Sequence, residues 1–123
     1  MGLEIFERGE LPRWAPVRQQ LDDLDIGDVR AAIAGQFKRE GVGNRLKPGQ
    51  RVAITAGSRG IDRIDEVLKA VVDEVRALGA DPFLVPAMGS HGGATAEGQL
   101  ELISHYGVTE ERMGCPILSS MET

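Results

Sequence analysis

Two short glycine-rich segments hold the residues best suited to chemistry in this chain: Gly57-Ser58-Arg59-Gly60 and Gly89-Ser90-His91-Gly92-Gly93. His91 can move a proton near neutral pH or ligate a metal, and the glycines around it let a small ligand reach the ring. Arg59 brings a guanidinium, Ser58 a hydroxyl and the glycines their backbone N–H groups, a donor set suited to a carboxylate or phosphate. The plainer reading is a tight strand-to-helix turn with a solvated arginine, and a histidine that satisfies a local hydrogen bond. His105 sits in a helical pattern next to Tyr106 and reads as surface or packing; Cys115 leads a strand and reads as buried rather than reactive.

The elements flanking these segments decide between the two readings. Arg51-Val52-Ala53-Ile54-Thr55 is a short β-branched run of the kind buried in the middle of a parallel sheet, and Pro82-Phe83-Leu84-Val85-Pro86 is a second strand. Between them Ile64, Val67, Leu68, Val71, Val72, Val75 and Leu78 keep a helical period, opposed by Asp65, Glu66, Lys69, Asp73, Glu74 and Arg76. Gly79 stands where a left-handed helix stop is wanted. Strand, helix, strand implies a parallel pair, with each glycine segment following the carboxyl end of a strand, where open parallel sheets bind ligands.

Around that unit, Val29, Ala32, Ile33 and Phe37 predict an amphipathic helix capped by Asp25 or Asp28 and ended by Gly41-Val42-Gly43. Lys47-Pro48-Gly49-Gln50 is a turn. Thr95 can cap a helix carrying Leu100, Ile103 and Tyr106 inward and ending near Gly107, and Thr109 can cap one further turn. Cys115-Pro116-Ile117-Leu118-Ser119 looks like a strand entering the sheet, with no covering helix after it. Before the core, residues 1–24 read as an arm with a short edge strand at Leu3, Ile5 and Phe6, broken by Pro12 and Pro16. The expected fold is α/β, a mostly parallel sheet with flanking helices in a Rossmann-like three-layer arrangement, truncated at the carboxyl terminus, with its core in residues 25–123.

Composition narrows the function classes. A chain of 123 residues, 41% hydrophobic, has room for one core. Its 16 glycines are about twice the usual share of roughly 7%, and several fall in the two segments above. The 14 basic and 19 acidic residues give a net charge of −5 without forming a tail, so nucleic acid and membrane surfaces are not expected partners. Cys115 is the one cysteine, which rules out an internal disulfide and a four-thiolate metal site within the chain and fits the cytoplasm. No apolar run has the length of a signal peptide or a bilayer span. A sheet edge left open near Ile117 would invite self-association.

The first loop resembles the cofactor loop of short-chain dehydrogenases, which read Thr-Gly-x-x-x-Gly-x-Gly after their first strand. Here Ala56 replaces the first glycine and Asp62 the last, placing a carboxylate near the expected pyrophosphate, and the family's Tyr-x-x-x-Lys pair is absent because Glu110 follows Tyr106 at the fourth position. An NAD(P)-binding module is therefore the alternative, with a non-catalytic domain for a phosphorylated metabolite or partner chain as a third.

Taken together, the two loops resemble the lactate racemase group, the nickel-pincer-nucleotide racemases and epimerases. The matching runs are Gly57-Ser58-Arg59-Gly60-Ile61 with its helix, and Pro82-Phe83-Leu84-Val85-Pro86-Ala87-Met88-Gly89-Ser90-His91-Gly92-Gly93-Ala94-Thr95-Ala96-Glu97-Gly98-Gln99. The resemblance covers roughly residues 47–123 and implies a racemase or epimerase of small 2-hydroxy acids. It also implies that His91 exchanges the hydroxyl proton and that Arg59 holds the substrate carboxylate; beside them we expect Ser58 as a second anion ligand and Gly57, Gly60, Gly89, Ser90 and Gly92 as cofactor-binding positions. No metal ligand is implied within the chain. The characterised racemases have Asp-x-x-Arg where this chain has Ala56-Gly57-Ser58-Arg59, which implies a different substrate. The family's cofactor-bearing lysine, nickel-ligating histidine and second proton-transfer histidine match nothing before residue 123, so the chain is expected to be an amino-terminal part, inactive alone.

Overall fold

The computed structural model describes residues 14–22, 25–39, 41, 43–58 and 60–122. The predicted edge strand at Leu3, Ile5 and Phe6 lies outside them, as does Val42 of the first helix stop. Residues 14–22 carry no regular structure, and Trp14, Val17 and Leu21 are exposed. The elements that follow are α1 (Val29–Phe37), a 3-10 turn (Gly43–Arg45), β1 (Arg51–Ala56), α2 (Ile64–Ala77), β2 (Asp81–Pro86), a second 3-10 turn (Gly92–Ala94), α3 (Ala96–His105) and α4 (Glu110–Met113).

The chain is a mixed α/β structure with a parallel sheet. Strands β1 and β2 pair in parallel from Arg51 opposite Asp81 to Ala56 opposite Pro86. On the other side of β2, Ile117 makes a single parallel bridge to Leu84, through Leu84 N–H to the Pro116 carbonyl at 2.9 Å and Leu118 N–H to the Leu84 carbonyl at 2.8 Å. The strand expected over residues 115–119 is thus one bridge among the described residues, and Pro116 has no N–H with which to extend a ladder.

Helix α2 forms as its apolar period dictates. Ile64, Leu68, Val72 and Val75 are buried, Asp65 and Glu66 lie in the first turn and Arg76 in the last, each favourably placed on the helix dipole. Gly79, at φ 79°, takes the left-handed stop. Helix α1 is capped by Asp28, whose side chain accepts from Ala31 N–H at 2.9 Å, and it ends at Phe37, ahead of the expected glycines. Asp25 instead pairs with Arg63 at 3.2 Å.

The core joins Ala56 and Leu84 of the sheet to Leu68 and Val72 of α2, Ile103 of α3, Met113 of α4, and Val108, Cys115 and Ile117. Strand β1 is not buried on both faces as its β-branched run suggests. Arg51, Ala53 and Thr55 are exposed, whereas Val52 and Ile54 are half-buried and Ala56 is fully buried. The Arg51 guanidinium lies over the Phe83 ring on that outer face, 4.6 Å from its centroid.

Cys115 is 4% exposed, and burial raises its thiol above the ordinary value, opposed by the nearby Arg76 charge. Less thiolate is present at a given pH, so alkylation by iodoacetamide at pH 8 is expected to be roughly tenfold or more slower than for a free cysteine. It should accelerate as pH rises; a rate equal to that of free cysteine would show the thiol to be accessible.

Candidate functional site

Parallel pairing brings the two glycine segments together. Because Ala56 lies opposite Pro86, the strands end level, and Ala87 N–H donates to the Ala56 carbonyl at 2.8 Å, holding the start of one loop against the end of the other strand. Between the loops is a pocket of about 460 Å³ lined by Gly57, Ser58, Ala87, Met88, Gly89, Ser90 and His91. Five of the residues singled out in the sequence, Gly57, Ser58, Gly89, Ser90 and His91, therefore face one space. Arg59 lies outside the described residues. Gly60 and Gly92 are not in the lining.

Inside the pocket Ser58 Oγ is in direct hydrogen-bond contact with His91 Nδ1, across 33 residues of sequence. The sequence offered the Ser58 hydroxyl to an anion; the structure brings it to the imidazole. A serine hydroxyl both donates and accepts, so it can hold Nδ1 in either tautomer, and the contact fixes the orientation of the ring. The His91 backbone N–H donates to the Met88 carbonyl at 3.2 Å, fixing the turn that presents the ring. Both side chains are half-buried, which leaves a path for a small molecule.

Gly92 serves packing. A Cβ on Gly92 would lie 2.6 Å from the Gln99 nitrogen and closer still to the Gly98 carbonyl group. A Cβ on Gly98 would lie 2.8 Å from Thr95 Oγ1 and closer to the Gly92 carbonyl oxygen. The loop backbone thus rests directly on the first turn of α3, and two glycines make that approach possible. Thr95 secures it by accepting from Gly98 N–H at 3.0 Å and donating to the Gly92 carbonyl at 3.1 Å.

Helix α3 also corrects the expected inward face. Ile103 is buried, but Leu100 and Tyr106 are 36% and 44% exposed, and Gln99 takes the inward position at 3%. Its amide nitrogen donates to the Gly89 carbonyl at 2.8 Å, and the Tyr106 hydroxyl stands 3.4 Å from the Ser58 carbonyl oxygen. Gln99, Gly98 and Tyr106 are site-supporting residues that sequence reasoning missed. The available signal was the Thr95 cap, which fixes where Gly98 and Gln99 fall in the first turn. Asp62 is exposed and pairs with Arg63 at 3.6 Å, outside the pocket lining. His105 is exposed.

No protein-family model, curated protein or solved structure matches the chain. Among the described residues there is no group of three or more His, Cys, Asp or Glu side chains that could hold a metal ion, and no helix is long and apolar enough to cross a membrane.

Proposed function

We propose that the pocket between the two loops binds a small 2-hydroxy acid and exchanges its hydroxyl proton, as part of a lactate-racemase-like isomerase. The observation that carries this reading is the contact between Ser58 Oγ and His91 Nδ1, which makes one site of two loops recognised separately in the sequence. Ser58 orients the imidazole through Nδ1, and His91 takes the proton from the substrate hydroxyl and returns it. Arg59 supplies the carboxylate partner in this reading, by the charge logic of a bidentate fork.

In the resembled enzymes hydride transfer belongs to the nickel-pincer nucleotide. The pocket does not fit the metal centre itself: His91 is the one imidazole in its lining, and it is engaged by Ser58. No hydride step is therefore derived from these residues. Under the same reading the chain is the amino-terminal part of a three-layer α/β enzyme of the cytoplasm, with the exposed face of β1 covered by the remainder.

Titration calorimetry of the purified chain against D- and L-lactate, longer 2-hydroxy acids, NAD(H) and NADP(H) tests the reading. A 2-hydroxy acid should bind saturably and weakly, with Kd about millimolar for so small a ligand. Tight dinucleotide binding without hydroxy-acid binding would overturn it in favour of a dehydrogenase-like module.

A further inference from the structure

The meeting of Ser58 and His91 needs both loops held at a fixed separation, and α3 touches both. Gln99 donates from its buried amide to the carbonyl of Gly89, two residues before His91. Tyr106, the residue that closes α3, brings its hydroxyl to the carbonyl of Ser58 itself. Seven residues apart, the two lie about two helical turns from each other on one side of the helix.

We propose that Gln99 and Tyr106 are positioning residues that clamp the two loops to one helix and so set the orientation of the His91 imidazole against Ser58. The proposal rests on the proton-transfer role given to His91 above, but its geometry does not.

Burying an amide is unfavourable unless it is hydrogen-bonded, and an apolar side chain at position 99 would join the core without that requirement. What the glutamine adds is a directional hold on Gly89, which has the left-handed backbone (φ 59°) that opens the second loop. Tyr106 acts on the other loop through a longer and therefore weaker contact, so its hydroxyl contributes less than the Gln99 amide. The tight approach of Gly92 to Gly98 supplies the fulcrum between them.

The test is the tautomer of His91, read from imidazole nitrogen NMR of the purified chain, in Gln99→Leu and Tyr106→Phe, with thermal midpoints measured alongside. The expected result is one dominant His91 tautomer in the wild type and a mixture in Gln99→Leu. Tyr106→Phe should shift the population in the same direction by less, with an unchanged midpoint and unchanged His105 signals. An unaltered His91 tautomer in both folded variants would overturn the clamp. If Gln99→Leu fails to fold, Tyr106→Phe decides, because its side chain is exposed and only the hydroxyl is lost; an unchanged tautomer there overturns the proposal. A wild-type chain that binds no hydroxy acid, but whose His91 tautomer follows Gln99, would retain the clamp and lose the proposed function.

Discussion

Replacing His91 with alanine should lower 2-hydroxy-acid turnover by about 10²–10⁴-fold in the full-length enzyme of which the chain is proposed to be part, the usual contribution of a positioned acid/base group. The fold should survive. The ring is half-buried, and the bonds that shape the loop, His91 N–H to Met88 and Ala94 N–H to the His91 carbonyl at 3.3 Å, are backbone bonds that alanine keeps. Ser58→Ala should cost less, because it removes the group that orients the imidazole and not the imidazole itself. Racemisation kinetics with D- and L-lactate measure both variants. Equal rates for wild type and His91→Ala would remove histidine from the chemistry, and a larger loss for Ser58→Ala than for His91→Ala would reverse the assigned roles.

The second large effect is a matched pair of glycine substitutions with opposite signs. Within a helix, alanine is preferred to glycine by roughly 0.8–1.0 kcal/mol. At Gly35, in α1, a Cβ meets nothing within 4 Å, so Gly35→Ala should stabilise by about that amount. At Gly98 the same gain is opposed by overlap with the Gly92 carbonyl, and overpacking typically costs about 1–3 kcal/mol. The obstacle is backbone and cannot rotate away like a side-chain end, so the cost falls at the upper end and the net effect is destabilising. A loss of 1–2 kcal/mol should lower the thermal midpoint by roughly 4–10 °C in a chain of this size. Because the displaced backbone belongs to the His91 loop, Gly98→Ala should also weaken hydroxy-acid binding, whereas Gly35→Ala should not. Thermal denaturation of both variants measures the contrast. Stabilisation by both would mean that the loop does not rest on α3.

These two predictions also separate what the sequence reveals from what it hides. Helix α2 is legible because seven apolar residues hold one period without interruption. Helix α3 is misread by about one residue. Leu100 and Tyr106 look like core partners of Ile103, while the inward position is held by a glutamine, whose burial makes sense only once the Gly89 carbonyl is beside it. The alternation at Cys115, Ile117 and Ser119 is real, since the first two are buried and Ser119 is half-buried, but hydrophobic pattern does not report how many ladder bonds form. Strand β1 reads as buried on both faces because β-branched residues mark strands without saying which face a helix covers.

The candidate site shows the same division. Each loop is identifiable from its own residues, and the parallel pairing that sets them side by side follows from strand–helix–strand order. The Ser58 to His91 contact does not follow, because it depends on the level ending of β1 and β2 and on the turn after Met88. Sequence alone names the Ser58 hydroxyl as an anion ligand and gives no sign of its contact with His91.

The measurement to make first follows the His91 imidazole by nitrogen NMR while a 2-hydroxy acid is added, in the wild-type chain and in Ser58→Ala. One site built from both loops requires a saturable shift of the His91 signals with His105 unmoved, and a single His91 tautomer that becomes a mixture when the Ser58 hydroxyl is removed. A His91 resonance indifferent to both the acid and Ser58 would mean that the loops are neighbours without a shared function.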